Sequence, residues 1–472
     1  MKKEILLFFL IIFLAFAFRL YKIDNPLADW HSWRQADTSA VSRNFIKFGF
    51  DFLHPRFDDL SNIASGRDNP IGYRFVEVPL YNLAHAFLYK TFPVFTLEVW
   101  GRVLSSFFSI FSLIFLYLIV RKYLGIKIAI LSSFFFAILP YSIYYSRVIL
   151  PEPMMVTLSL GMVYFFDKWL EENKKVHYFL SLILASSAIL VKPYAVFMFL
   201  PMIYLAWSRW GLKCLTKLSL YLYILISFFP FILWRFWIFQ YPEGVPAFWW
   251  LLNGDGIRFK GAFFWWIFAE RLGKLILGIW GLPFLLLGIL VQPGKRKGWF
   301  FHWWFIAILL YLIIFATGNV RHDYYQILTV PIICIFLGKG VGFLITEGHK
   351  VFNSSICYLL SVICILFMLS FSWYQVRDFF NINHPEIIEA GRAVDRLVPK
   401  EAKVIAPYGG DTAFLYQTDR QGWPIGFEIE KKIKMGANYY VTVNFDDEAK
   451  ELEKKYKVLE KTDKYEIIKL EL

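Results

Sequence analysis

The sequence predicts a polytopic α-helical membrane protein with a large first external loop and a small α/β domain at its C-terminal end. Three observations lead there. Of 472 residues, 58% are hydrophobic, 20% aromatic and only 18% charged, with a mean hydropathy of +0.49; a soluble globule carries roughly 45–50% apolar and about 25% charged residues. The apolar residues fall in runs near the ~20-residue length that a bilayer core requires. The charge is also divided unevenly. Lys and Arg outnumber Asp and Glu by 50 to 37, yet residues 377–472 hold 16 basic against 18 acidic residues, leaving 34 against 19 in residues 1–376. A basic excess confined to the apolar part is a topology signal, because cytoplasmic loops collect Lys and Arg. No basic arm stands apart from the apolar runs, so nucleic acid is not an expected partner. The same figures exclude a disordered chain and a disulfide scaffold. Cys214, Cys334, Cys357 and Cys364 show no metal-ligand spacing and read as small apolar fillers.

The first run ends at Phe18 and is followed by Arg19-Leu20-Tyr21-Lys22 rather than a small-residue cleavage site. It is expected to be an uncleaved span with a cytoplasmic N-terminus. Further runs near 98–120, 128–146, 154–170, 179–191, 194–207, 218–239, 272–291, 299–317, 325–346 and 351–373 bring the expected total to about eleven spans. Alternation then places Arg121 to Lys127, Asp167 to Lys175, Arg209 to Lys217 and Lys295-Arg296-Lys297 in the cytoplasm, where most of the basic excess belongs. Were 179–207 a single span, the Lys295-Arg296-Lys297 loop would fall outside. Two spans divided at Lys192-Pro193 are therefore expected.

Three long pieces go to the opposite face. Residues 21–97 are too polar to be a connector, and residues 240–271, with Phe248-Trp249-Trp250 and Phe263-Phe264-Trp265-Trp266, suit a membrane interface. The tail changes character: a helical pattern at 385–398, then strand patterns at 403–407, 439–443, 456–460 and 464–470. The expected domains are a transmembrane domain at 1–376, with its external loop at 21–97, and an extracytoplasmic α/β domain at 377–472.

Charged groups are costly in hydrocarbon and gather at the ends of spans. The richest stretch is Asp29-Trp30-His31-Ser32-Trp33-Arg34-Gln35-Ala36-Asp37-Thr38. Here a carboxylate suits general-base work on a hydroxyl, and an Arg suits a bidentate phosphate contact. The bland alternative is an interfacial helix with solvated charges. A second cluster runs from Arg74 to Asn82 and includes Glu77; a third, Arg147 to Pro153, sets Glu152 between two prolines. Alone, Arg147 and Glu152 read as a salt bridge closing a turn. Lys192 at a helix end reads as a snorkelling residue, and Arg321-His322-Asp323-Tyr324-Tyr325 opens a span. No second His–carboxylate pair accompanies His322-Asp323, so a metal site is not indicated. Nor is a Walker loop, a dinucleotide turn or a serine elbow present. On the expected topology these groups share one membrane face, above an apolar bundle. That suits a substrate with an apolar tail and an anionic head.

The stretch His31 to Thr38 resembles the first-loop signature of bacterial and archaeal membrane glycosyltransferases similar to the protein O-mannosyltransferases and the aminoarabinose lipid A transferases. The Arg147–Glu152 turn, the Lys192-Pro193 step, His322-Asp323-Tyr324-Tyr325, and Gly410-Asp411 and Gly422-Trp423 in the tail are similar to other pieces of that family. The resemblance implies a GT-C fold and a polyprenyl-phosphate-linked sugar donor, with a glycan, lipid or protein acceptor at the bilayer surface. It implies transfer with inversion in the cell membrane. Asp37 or Asp29 is the implied first-loop acid assisting the acceptor; relatives often carry an Asp-Glu pair there, which this stretch lacks. Glu77 and Glu152 are implied as secondary acids. Arg34, Arg147, Lys192 and Arg321 are implied at the donor phosphate, and His31, His322 and Tyr324 near the sugar or acceptor.

Such a displacement builds positive charge on the sugar ring and negative charge on the leaving phosphate, which fixed cations stabilise. A divalent metal is then not obligatory, and no cofactor is expected. A transporter or flippase of a lipid-linked molecule is the main rival, but transporters set charged sites at the midplane, often with repeat symmetry. A noncatalytic scaffold is the third reading.

Overall fold

The computed structural model describes residues 2–294 and 296–470. Lys295, expected in the basic loop with Arg296 and Lys297, lies outside the described residues, as do Met1 and residues 471–472. The described residues pack as two compact units, the first within 2–21, 103–233 and 248–378, the second within 22–102, 234–247 and 379–470.

The first unit is helical. The apolar runs become helices at Lys2–Arg19, Leu97–Leu124, Ile126–Ile138, Glu152–Glu172, Lys175–Val191, Phe199–Trp210, Leu218–Ile238, Phe300–Ile314, Val330–Glu347 and Ser354–Val376. Among the described residues, six helical segments are long and apolar enough to cross a membrane, and Ile126–Ile138 and Lys175–Val191 are shorter apolar helices. The 179–207 run divides in two. Lys192 is extended, and Pro193 opens a 3-10 turn, Pro193–Met198, because the residue before a proline is driven out of the helical region. The 272–291 run is also interrupted: a π-helix over Trp265–Ile276 precedes the helix Leu282–Leu290, with Gly278 and Ile279 at positive φ between them. Asn173, at φ 53°, closes the turn joining Glu152–Glu172 to Lys175–Val191, the left-handed cap conformation that Asn tolerates. Two helices touch through glycines. A Cβ on Gly288 would lie 1.9 Å from the Phe336 carbonyl oxygen, and one on Gly340 would lie 2.0 Å from that of Phe284. Small residues let backbones approach where lipid supplies no hydrophobic drive.

The second unit is built on a five-stranded sheet of β1 (Lys403–Ile405), β2 (Gly422–Trp423), β3 (Ala437–Thr442), β4 (Lys457–Lys461) and β5 (Glu466–Lys469), in the order β2-β1-β3-β5-β4. The pairs β1–β2 and β1–β3 are parallel; β3–β5 and β4–β5 are antiparallel. Strand alternation separates two cores. Val404, Val441 and Ile467 join Ile387, Val394 and Phe414 on one face; Ile405, Tyr440 and Ile468 join Trp423, Ala449 and Leu452 on the other. The four strand patterns and the 385–398 helix of the tail are present, the helix at Glu386–Leu397; two-residue β2 was too short to carry a pattern.

The first loop is part of this unit. Its Leu60 lies in the second core, Asp59 bridges to Gly422, the Leu60 N–H donates to the Gly422 carbonyl at 2.7 Å, and the Gly422 N–H donates to that of Asp58 at 2.9 Å. The start of 240–271 joins it as well: Phe75 N–H donates to the Gly244 carbonyl at 2.8 Å, and Tyr241 packs among His54, Tyr73 and Phe75.

Candidate active site

In the second unit, the helix Ser32–Phe48 is buried over most of 34–45, and its polar residues are paired accordingly. Asp37 accepts from the Arg74 guanidinium at 2.5 Å through Oδ2 and from the Thr412 hydroxyl at 2.8 Å through Oδ1. The Thr412 oxygen also lies 3.2 Å from the Trp33 carbonyl. Arg34 is engaged by Glu77 at 2.8 Å. Asp29 accepts from Gln35 Nε2 at 2.8 Å and faces Arg102 at 3.7 Å, both charged side chains being fully enclosed.

Two further carboxyls bear on Asp37. Burial pushes Asp59 up to about 6, with the Asp37 charge adding to the rise and a Ser61 N–H at 2.7 Å opposing it. Burial likewise pushes Asp411 up to about 6; Asp37 again adds, and the Ala413 N–H at 2.7 Å opposes. At Asp411 opens a cleft of about 320 Å³, lined also by Asp29, Trp30, His31 and Trp33 of the first loop and His384 and Tyr408 of the tail. His31 holds φ 55° immediately before its helix, a conformation stored at few non-glycine positions and often at functional ones.

In the first unit a separate network is built. Lys192 Nζ lies 2.9 Å from Glu152 Oε1, both side chains being almost inaccessible, and the Tyr194 hydroxyl donates to the same oxygen at 3.3 Å. Lys192 and Tyr194, the two partners of this oxygen, flank Pro193 in the chain, where the 3-10 turn opens. Glu152 therefore has Lys192 as an ion-pair partner. Asp323 takes Arg271 at 2.8 Å and the Tyr145 hydroxyl at 3.1 Å; its carbonyl takes Tyr141 at 2.6 Å. Arg147 donates to the Tyr21 carbonyl and lies over the Tyr144 ring, whose neighbour is Tyr145. Tyr194 contacts Tyr325 at 5.8 Å, Tyr325 stacks on Tyr324 at 4.7 Å, and Tyr324 on His322 at 5.5 Å. Arg147, Glu152, Lys192, His322 and Tyr324 thus belong to one aromatic-lined network. Arg321 sits at its edge, half exposed, 2.8 Å from Asp255 and over the Trp250 ring that stands edge-on to His322.

Residues 79–237, about a third of the chain, match the family model described as dolichyl-phosphate-mannose-protein mannosyltransferase. No curated protein matches the chain in sequence. Among solved structures, ArnT from Cupriavidus metallidurans bound to undecaprenyl phosphate superposes with a TM-score of 0.68 at 12% identity, over 98% of this chain and 97% of that one. The fold is that of the GT-C membrane glycosyltransferases. The Archaeoglobus fulgidus oligosaccharyltransferase in complex with zinc and sulfate is also similar, with a TM-score of 0.58 at 12% identity, over 92% of this chain and 67% of that one.

Sequence reasoning named Asp29, Asp37, Glu152 and Lys192 but not their partners Arg102, Thr412 and Tyr194, nor Arg271, which pairs with Asp323. Arg271 carried a signal: Glu270, Arg271 and Lys274 form a charged island between Trp265-Trp266 and an apolar run. Thr412 carried none. Among the described residues, no group of three or more His, Cys, Asp or Glu side chains is disposed to hold a metal ion.

Proposed function

We propose that the chain is a membrane glycosyltransferase that moves a sugar from a polyprenyl-phosphate donor to a lipid, glycan or protein hydroxyl by single displacement with inversion. In this reading the N-terminus is cytoplasmic and the C-terminal α/β domain at 377–472 extracytoplasmic. The carrying observation is the Lys192–Glu152 pair. Two charges 2.9 Å apart and almost wholly buried in an apolar helical unit are expensive to keep, and such residues in membrane segments mark substrate handling. The match of 79–237 to a family of lipid-phosphate-sugar enzymes agrees with a donor of that kind.

Lys192 and Arg147 are assigned to the donor phosphate, Glu152 to positioning Lys192, and His322 and Tyr324 to the sugar. Arg34, held by Glu77, and Arg321 are assigned to attracting the anionic head. Asp37 is assigned as base. Its Oδ1 already takes a hydroxyl, that of Thr412, which is the contact an acceptor hydroxyl needs; Arg74 fixes the other oxygen. Enclosed Asp29 is a positioning residue, and His31 faces the acceptor. The acceptor oxygen bonds to the anomeric carbon as the carbon–phosphate oxygen bond breaks, its electron pair leaves on the phosphate, and the hydroxyl proton passes to Asp37. Fixed cations at the phosphate stabilise the charge that develops there.

The test incubates purified full-length protein with polyprenyl-phosphate hexoses and pentoses and follows sugar transfer and release. Wild type is expected to consume at least one donor, and Asp37→Asn to lose at least a hundredfold in transfer. Asp29→Asn is run beside it. Full activity in Asp37→Asn removes the proposed base; no release from any donor by wild type removes the enzyme reading.

A further inference from the structure

We propose that the cleft between the first loop and the tail, within the second unit, holds the acceptor, and that the acceptor is a neutral saccharide. The inference rests on the transfer reading above and names the substrate class which that reading leaves open.

Three observations support it. The cleft adjoins the proposed base: its lining residues Trp33 and Asp411 flank Thr412, through the Trp33 carbonyl contact and by chain adjacency, and the Thr412 hydroxyl bonds Asp37. Its chemistry is mixed in the manner sugars require, flat apolar faces beside hydrogen-bonding groups. Trp30 is 42% exposed and stacked face to face on Phe379 at 4.9 Å, which leaves its ring fixed. The His384 ring stands edge-on to Tyr408 at 6.0 Å, with Nδ1 2.8 Å from Glu386. Pyranose C–H faces pack on such rings, while hydroxyls bond to imidazole and carboxylate. The charge is the third observation. Among the described residues the lining holds Asp29 and Asp411 and no Lys or Arg. A phosphorylated acceptor would meet the Asp411 carboxyl with no Lys or Arg in the lining to hold its phosphate, since enclosed Asp29 is already turned to Arg102. A volume near 320 Å³ sits at the lower end of the roughly 300–1,000 Å³ of small-ligand sites, room for one or two sugar rings.

The experiment uses the full chain in nanodiscs and saturation-transfer NMR. The probes are neutral trisaccharides of mannose, galactose and N-acetylglucosamine, a phosphorylated glucosamine disaccharide and a Ser/Thr-containing peptide. At least one neutral trisaccharide is expected to bind. His384→Ala is expected to weaken it at least tenfold at an unchanged melting temperature, and Tyr408→Ala at least tenfold with a lower one, since Tyr408 packs on the core beside Phe414; Tyr408→Phe is expected to retain both binding and stability. The proposal is overturned by binding that is equal in the alanine variants, by tighter binding of the phosphorylated disaccharide or the peptide, or by no saccharide binding. Undecaprenyl phosphate binding to wild-type protein is measured alongside. A protein that binds the lipid phosphate but no saccharide sinks the acceptor assignment alone. One that binds saccharide but no lipid phosphate keeps the cleft and sinks the donor reading.

Discussion

Replacing Lys192 by Met and Glu152 by Gln, singly and together, separates the structural duty of this pair from a catalytic one. At 2.9 Å, with the side chains 7% and 1% exposed, the direct attraction is about 6 kcal/mol at an effective dielectric near 20. Much of that only offsets the removal of two charges from water. Deleting one partner leaves the other buried and is expected to cost about 3–5 kcal/mol of stability, which the Tyr194 hydroxyl at 3.3 Å is too distant to recover. The double variant keeps the volumes, buries no unpaired charge, and is expected to regain most of that loss. Turnover behaves differently. Removing a fixed donor at a developing anion costs roughly 10²–10³ in rate, whatever stands at position 152. The assays are thermal unfolding in detergent and sugar transfer from a polyprenyl-phosphate donor, on the four proteins. Stability returning in the double variant while transfer stays low supports Lys192 at the phosphate. A double variant that transfers at the wild-type rate refutes it, leaving Lys192 a structural partner only.

Asp59→Asn bears on pH dependence. With a folded value of about 6 against 3.8, the native state binds the proton more tightly, so this group's favourable contribution is complete below about 4 and is lost as pH rises through 6. At neutral pH the substitution is expected to stabilise by up to about 3 kcal/mol and to flatten the melting-temperature slope between pH 4 and 6, with Asp411 keeping its own share; an unchanged slope refutes the assignment. Arg271→Met is expected to strand Asp323 and cost about 3–5 kcal/mol, read as a lower melting temperature with transfer lost. Gly422→Ala would put a methyl 1.7 Å from the Val404 carbonyl oxygen and is expected to cost about 1–3 kcal/mol or more, visible as protease sensitivity of the tail. Transfer is expected to persist in EDTA, since Lys192 and Arg147 supply the positive charge; a tenfold loss restored by magnesium would refute that.

Much of this was legible in the sequence because hydrocarbon imposes simple rules. Apolar runs announced the helices, and Pro193 announced the break beside Lys192. The tail's strands followed from alternation at 439–443 and 464–470. What could not be read was pairing. Nothing in the string joins Asp37 to Thr412, 375 positions away, or draws Asp59 to Gly422, because short polar contacts between distant loops leave no periodicity. The π-helix over Trp265–Ile276 also escaped, since an aromatic-rich stretch has the same composition in any helical form. Glu152 shows a further limit: its nearest basic neighbour along the chain is Arg147, yet the fold supplies Lys192 across a helical hairpin.

The backbone bonds between residues 58–60 and Gly422 mean that the tail does not own the margin of its sheet. Excised at residue 377, it would present β2 with bare amide groups on its outer side, a template for sticking to other chains rather than a free-standing module. The same bonds set a timetable for biogenesis. The stretch that closes the sheet is translated hundreds of residues before the strand it closes against, so it must wait, incompletely folded, until nearly the whole polypeptide has been inserted.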